Sequence, residues 1–337
     1  MTPKRILVTG ASGCIGHYIT ESLIQETEHH LYLLVRNPDK LKIDYNARPG
    51  VTLLHADMQD IEQFGPLLKT MDQAILAATA WGGAAAFDIN VLKTIRLLNL
   101  LSPEVCEHVI YFSTASLLDN KQQILKEAGQ LGTEYIRSKY DCFHRLSKLA
   151  IAPQVTTLFP TLVLGGDTNK PYSHLSAGLP DVVKWIDVIR WLKADGSFHF
   201  IHGRDIAQVV RHLVEHPPEP GVGVEPLGSR QLVLGNQRVT VDQAVEEVCA
   251  YLNKKIYFRI PLSFWLADIL IALFKIQMAP WDRFCLRYRH FSYETPVSPA
   301  SFGLTTYCPT FTDVLKTRGI SKNFRQVPAK KLSDQSP

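Results

Sequence analysis

The chain has 337 residues, with 36 Lys and Arg against 32 Asp and Glu, and six cysteines among which no C-x-x-C pair occurs. A net charge of only +4 points away from a nucleic-acid partner, and scattered thiols point away from a disulfide framework or a cysteine metal site. The length exceeds one simple nucleotide-binding domain and suits such a domain with an added substrate lobe.

Ile6, Leu7 and Val8 form an apolar run, as expected of a strand buried on both faces of a parallel sheet. Thr9, Gly10, Ala11, Ser12, Gly13, Cys14, Ile15 and Gly16 follow. Gly10 permits a sharp turn, Gly13 has no Cβ to keep a pyrophosphate off the backbone, and Gly16 lets the next helix pack closely. That helix is expected over about 13–26, with Ile15, Ile19, Leu23 and Ile24 as its buried stripe. Its first turn would offer free N–H groups and the positive end of a dipole to phosphates. Cys14 lies in this turn, where its thiol would be reachable. With Thr9 the glycines read T-G-x-x-G-x-x-G, which resembles the extended branch of the short-chain dehydrogenase/reductase superfamily, of the NAD-dependent epimerase/dehydratase kind.

The second strand, 31–36, ends at Val35 and Arg36 without the acid that an NAD site uses for the ribose 2′-hydroxyl. Arg36 could meet a 2′-phosphate with a planar fork, which favours NADP and leaves NAD as the alternative; the bland reading is a solvated strand-end Arg. A third strand over 51–56 ends in Asp57 and Met58, which the resemblance assigns to the adenine. A fourth, from about 73 to 78, brings Ala77, Ala78 and Thr79 to the cofactor's ribose side. The helix opening at Asp88 resembles the family's N-V-x-G-T segment, with Asn90 as a polar anchor and Lys93 in place of the Gly.

The fifth strand, 109–112, runs into Ser113-Thr114-Ala115-Ser116, similar to the family's S-[ST]-A-S. The resemblance makes Thr114 the hydroxyl on the reacting oxygen, with Ser113 and Ser116 as alternatives. A helix is expected from about 132–134, and on it Tyr135 and Lys139 stand at i and i+4, on one face. A free phenol near pKa 10 is a poor proton carrier at neutral pH, and a neighbouring ammonium lowers that value. Tyr135 is therefore expected as general acid/base, tuned by Lys139, which the resemblance also places on the nicotinamide ribose. Tyr140 is expected to pack and Arg137 to be solvated. The sixth strand, 155–166, resembles R-P-x-x-V-Y-G-P with Phe159 for Arg, and sets Pro160 and Leu162 against the nicotinamide.

Residues 198–207 resemble the family's R-D-F-I-H-V-x-D-x-A. Phe198 replaces the Arg that binds a substrate diphosphate in nucleotide-sugar enzymes, and Asp205 would cap or anchor the helix there. The run 261–274 is apolar but shorter than the roughly 20 residues a membrane span requires. A helix buried against its own lobe is preferred over an apolar lid or loose membrane attachment. Trp281, Phe284, Tyr288 and Phe291 are candidate pocket walls, and Arg283, Arg287 and Arg289 candidate receivers of an anionic head group. Residues 298–304 resemble the family's S-x-A-x-x-L-G, ahead of a last helix near 311–318.

These readings give an α/β fold: a doubly wound parallel sheet (Rossmann) with a smaller, mostly helical C-terminal substrate lobe. The dinucleotide-binding domain is expected over 1–165 with returning segments near 185–235, the lobe over 166–184 and 236–320, and a disordered tail over 321–337 that carries the basic cluster Lys322 to Lys331. The chain enters a strand within four residues, which with reduced thiols leads to the cytoplasm as the expected compartment. No His spacing suits a metal. The expected function is an NAD(P)-dependent oxidoreductase exchanging hydride with a carbonyl or alcohol of a fairly apolar small molecule, as a homodimer by analogy with the family. The alternatives are a nucleotide-sugar epimerase or dehydratase, and a non-catalytic NADP-binding sensor or scaffold.

Overall fold

A computed structural model describes residues 2–219, 229–273, 275 and 277–322. Most of the expected tail, including nearly all of the Lys322 to Lys331 cluster, lies outside the described residues. Seven strands form one parallel sheet: β1 (Arg5–Thr9), β2 (His30–Val35), β3 (Val51–His55), β4 (Gln73–Leu76), β5 (His108–Phe112), β6 (Val155–Pro160) and β7 (Arg230–Leu234). Their order is β7-β6-β5-β4-β1-β2-β3. The helices that matter below are α1 (Cys14–Glu26), α2 (Thr94–Leu100), α3 (Glu134–Leu146), α4 (His174–Lys184) and α5 (Ile186–Ile189), then α6 (Gly203–Glu215), α7 (Val241–Tyr251), α8 (Phe264–Leu273), α9 (Pro280–Tyr288) and α10 (Phe311–Thr317).

The continuous apolar run of β1 is explained by burial on both sides. Successive side chains of a strand point to opposite faces. Leu7 joins the core with Leu97, Val109, Tyr111 and Phe143, under α2 and α3. Ile6 and Val8 join Ile19, Leu23, Val209 and Val210, under α1 and α6. Helices on both faces make this a doubly wound sheet. Gly203 lets α6 close on α1, since a Cβ there would lie 2.6 Å from the Tyr18 ring. A smaller core joins α5, α7 and α10 through Ile186, Val245, Val248 and Leu315.

β4 stops at Leu76, two residues earlier than its pattern suggests. The amides of Ala77 and Ala78 turn instead to the carbonyl and Oγ1 of Thr9, both at 3.3 Å. The segment at Asp88 also differs from a plain helix start. A short helix, Ala85–Phe87, leads into a π-helical stretch, Asp88–Lys93, and then into α2.

Asp205 has a different task from a helix cap. His202 caps α6, its Nδ1 accepting from the Arg204 amide at 3.1 Å. The buried Asp205 carboxylate accepts from the amides of Tyr307 (2.6 Å) and Cys308 (3.2 Å), tying a distant loop to the core. Burial pushes its pKa up to about 6, against the pull of those two donors. Asp205→Ala strips both amides of their acceptor, and an unmet buried donor costs about 1–3 kcal/mol. Urea unfolding is expected to show a loss of roughly 2–4 kcal/mol for Asp205→Ala, and less for Asp205→Asn, which retains one acceptor oxygen.

α8 is not buried against its own lobe. Phe264, Trp265, Ile269 and Leu273 are all exposed, and among the residues whose side chains are described only Ala267 turns fully inward. Among the described residues no helix is long and apolar enough to cross a membrane.

Candidate active site

The chain runs from β1 outwards to β3 on one side and from β4 to β7 on the other. Such a reversal opens a crevice at the C-terminal ends of the two central strands. Gly10 sits there at φ +73°, and a Cβ on it would stand 2.5 Å from the Ala78 amide nitrogen. A Cβ on Gly16 would collide with the Gly10 carbonyl. Both glycines are therefore required by backbone contact, and Gly16 seats α1 on the turn rather than on the strand itself. Gly13 is exposed, its amide donating to Gly10 O at 2.9 Å, and no side chain caps α1. Ser12, Cys14 and Ile15 complete this rim, each half-buried. Burial pushes the pKa of the half-buried Cys14 thiol up to about 12, against a hydrogen bond with the Ser173 backbone.

Beyond β2 and β3, Arg36, Asp57 and Met58 come together. Arg36 is 72 % exposed at its side chain, with Nη1 3.3 Å from Asp57 Oδ2. Asp57 also accepts from the Gln59 amide at 3.1 Å. The two residues singled out separately for phosphate and adenine are thus ion-paired with each other.

Asn90 is fully buried and uses its whole amide. Its Oδ1 accepts from Thr79 Oγ1 (3.0 Å) and the Ala80 amide (2.8 Å), while Nδ2 donates to Ala80 O (2.7 Å) and Ser138 Oγ (2.9 Å). The loop after β4 is thereby fastened to α3, which carries Tyr135 and Lys139.

Burial pushes the Tyr135 phenol up to about 12, and the Thr114 side chain lies near enough to hold this down in part, which neither Ser113 nor Ser116 does. Ser113, by contrast, buries an Oγ with no hydrogen-bond partner among the described residues. The expectation that Lys139 lowers this phenol is not met here. Lys139 is buried, donates from Nζ to Phe112 O at 2.7 Å, and lies 5.0 Å over the Tyr111 ring. Desolvation brings its own pKa down to about 8. Tyr140 packs beside the core, as its register implies.

The sequence reading missed Trp81. Its ring lies 4.5 Å from that of Tyr135 at 31°, and His174 meets it edge-on at 4.4 Å. The Gly83 amide beside it donates to Glu134 Oε2 at 2.6 Å. A bulky aromatic followed by Gly82-Gly83, directly after a central strand, was the available signal.

A cavity of about 350 Å³ is reached from Thr114 through its chain neighbours Ala115 and Ser116, which line its sheet side with Pro160, Thr161 and Leu162; Tyr135 and Lys139 do not line it. Phe198, Trp281, Phe291 and Tyr293 wall the other side, with Arg289 at its edge. Tyr293 is fixed by donating its hydroxyl to Ala115 O at 2.7 Å and its amide to His199 Nε2 at 3.0 Å. Phe284, Tyr288, Arg283 and Arg287 do not line the cavity, contrary to the sequence reading. Phe284 turns instead to the core under the sheet, and Arg283 and Arg287 are exposed. A larger hollow of about 660 Å³, near Asp195 and Phe264, lies away from Tyr135.

A family model described as NAD dependent epimerase/dehydratase family matches residues 6–224, well over half the chain. The chain belongs to this family. Its resemblance to the extended short-chain dehydrogenase/reductases is thereby established, and with it an enzyme type that works with a nicotinamide dinucleotide. Solved structures agree in fold across nearly the whole chain. The protein gox2253 superposes with a TM-score of 0.66 at 17% identity, over 94% of this chain and 96% of its own. The dTDP-glucose 4,6-dehydratase of Bacillus anthracis, solved with NAD, gives 0.61 at 14% identity, over 94% and 96%. The UDP-N-acetylglucosamine 4-epimerase of Methanobrevibacter ruminantium, solved with UDP-N-acetylmuramic acid, gives 0.56 at 17% identity, over 78% and 86%. No curated protein matches the chain by sequence.

Proposed function

We propose that the protein is an NADP-dependent oxidoreductase that interconverts a carbonyl and an alcohol on a fairly apolar small molecule. The observation that carries this reading is the cavity wall of Leu162, Phe198, Trp281 and Phe291. Phe198 stands where the family's nucleotide-sugar enzymes would carry an Arg for the diphosphate, and a phenyl ring cannot replace that fork.

The backbone of the turn supports dinucleotide binding, because a Cβ on Gly10 or Gly16 would fill it. Gly10, Ser12, Gly13, Cys14, Ile15 and Gly16 would hold the pyrophosphate at the start of α1. Arg36 would take the 2′-phosphate, and Asp57 and Met58 the adenine. Ala77, Ala78, Thr79 and Lys139 would face the ribose of the nicotinamide half, and Pro160 and Leu162 its ring. When bound, the nicotinamide gives or takes the hydride at carbon. Tyr135 holds the proton at the reacting oxygen, and Thr114 orients that oxygen through its hydroxyl. With its pKa at about 12 the phenol is protonated at neutral pH and is a weaker acid than a free phenol, farther from the matched value that efficient proton transfer requires.

Arg36→Glu is expected to weaken NADPH by roughly 10–100-fold, the worth of a charge-assisted contact, while leaving NADH nearly unchanged. Fluorescence titration with both nucleotides checks this; an equal loss for both would remove Arg36 from the 2′-phosphate.

A second reading is favoured by the family match: internal oxidation and reduction of a nucleotide sugar, as in the epimerase and dehydratase named above. The two separate on one preparation. Net NADPH consumption with apolar aldehydes and ketones supports the first. Tightly retained NAD, with UDP- or dTDP-sugars converted at no net cofactor change, overturns it for the second.

A further inference from the structure

We propose that the outer face of α8 and the aromatic loop before it dock on an anionic phospholipid bilayer. The face is apolar where a water-facing helix should be polar. Trp265, Ile269 and Leu273, at i, i+4 and i+8, follow one side of the ten-residue helix, with Trp265 72 % and Leu273 70 % exposed, and Phe264 is exposed at its start. A soluble helix buries such a stripe.

The patch continues beyond the helix. Tyr257 and Phe258, 76 % and 60 % exposed, stack on Trp191 at 6.2 and 4.9 Å between centroids. The strand Ile260–Pro261 pairs with Leu192–Lys193, so these aromatics and the start of α8 belong to one surface. Trp185 and Val188, on and just before α5, are also exposed. Trp and Tyr favour the headgroup region of a bilayer, and ten helical residues span only about 15 Å, which suits lying in that plane and not crossing it.

Charge identifies the kind of surface. Between Lys254 and Arg289 the sequence carries seven Lys or Arg and two acids; Lys254, Arg259 and Arg289 pair with acids outside that stretch, which leaves Lys255, Lys275, Arg283 and Arg287 as its other cations. Of the acids that lie near, Asp187 is engaged by Lys254 and Arg190, Asp195 by Arg289, and Asp242 with Glu246 by Arg259, while the exposed Asp268 on the helix itself forms no ion pair among the described residues. Lys193, Lys255 and Lys275 flank the apolar residues in sequence and form no ion pair among the described residues. Each such cation near an anionic leaflet adds attraction that salt screens. A second copy of the chain would place the same excess of cations against itself, which disfavours a dimer through this face.

The 660 Å³ hollow gives this surface a use. It is lined by Leu262 and Phe264 and shares Ser197 and Arg289 with the smaller cavity beside Leu162. An apolar substrate could pass from the bilayer towards Tyr135 by that route; this clause rests on the proposed function, whereas docking itself does not.

The test is co-sedimentation of the full chain with vesicles of phosphatidylcholine alone, and of equal parts phosphatidylcholine and phosphatidylglycerol. No substrate or nucleotide is added, so failure here is separate from failure of the proposed reaction. Binding to the mixed vesicles is expected, weakened by salt, and reduced at least tenfold in the double variant Trp265→Glu/Leu273→Glu. Both residues are exposed, so the melting temperature should not move. Asp268→Lys, which removes the one acid on that face, is expected to strengthen binding. The proposal is overturned if the mixed vesicles are not bound, if neither variant changes binding, or if sedimentation shows a dimer that the double variant dissociates while vesicles are ignored.

Discussion

Tyr135→Phe is expected to reduce turnover by roughly 10²–10⁴-fold while leaving nucleotide affinity within about twofold. The ring remains against Trp81, at 4.5 Å, so the substitution removes a hydroxyl and little packing. What it removes is the hydroxyl beside Thr114 and, on the proposed function, the proton carrier at the reacting oxygen. The folded protein should be nearly as stable as wild type, within about 1 kcal/mol, because one neutral hydroxyl is lost without opening a void. NADPH consumption by absorbance and nucleotide titration by fluorescence measure the two quantities separately. If turnover survives, Tyr135 is not the acid, whatever its neighbours; if binding falls with it, Tyr135 serves the cofactor instead.

The fold was legible because its signals are local and periodic. An apolar run followed by T-G-x-x-G-x-x-G specifies strand, turn and helix within a dozen residues, and β1 and α1 form there. The i, i+4 spacing likewise put Tyr135 and Lys139 on one helix, and a short polar run after β5 brought Thr114 to the phenol. What escaped depends on contacts far apart in the chain. Asp205 reads as a helix anchor in its own segment, and only the tertiary structure sends it to the amides at 307 and 308. Nothing near Lys139 in sequence signals that its ammonium turns to the Phe112 carbonyl. For α8 the apolar pattern was read correctly but its direction was not, because hydropathy says that a face avoids water and not what covers it.

Lys139→Met is expected to make the nucleotide-free protein more stable at pH 7, by roughly 1 kcal/mol, while abolishing most of its turnover. Lys139 buries a full positive charge with no ion pair among the described residues, supported by one carbonyl and the face of Tyr111. Burial therefore favours its neutral form and lowers its pKa from 10.5 to about 8. A lysine depressed in this way binds fewer protons folded than unfolded between those two values, so wild-type stability gains from this group as pH rises through that window. Below pH 8 the ammonium is charged in both states and the whole cost of burying it is present. The methionine keeps the length and apolar body without the charge, so its advantage should be largest near pH 7 and should shrink from pH 8 towards pH 10. Other buried phenols and thiols titrate in the same alkaline range, which is why the wild-type and variant urea midpoints must be compared at each pH. A variant less stable than wild type throughout would mean that the bond to Phe112 outweighs the burial cost. A gap that closes above pH 8 would show a side chain kept in place against the stability of the fold, as a residue retained for chemistry at the ribose and the phenol should be.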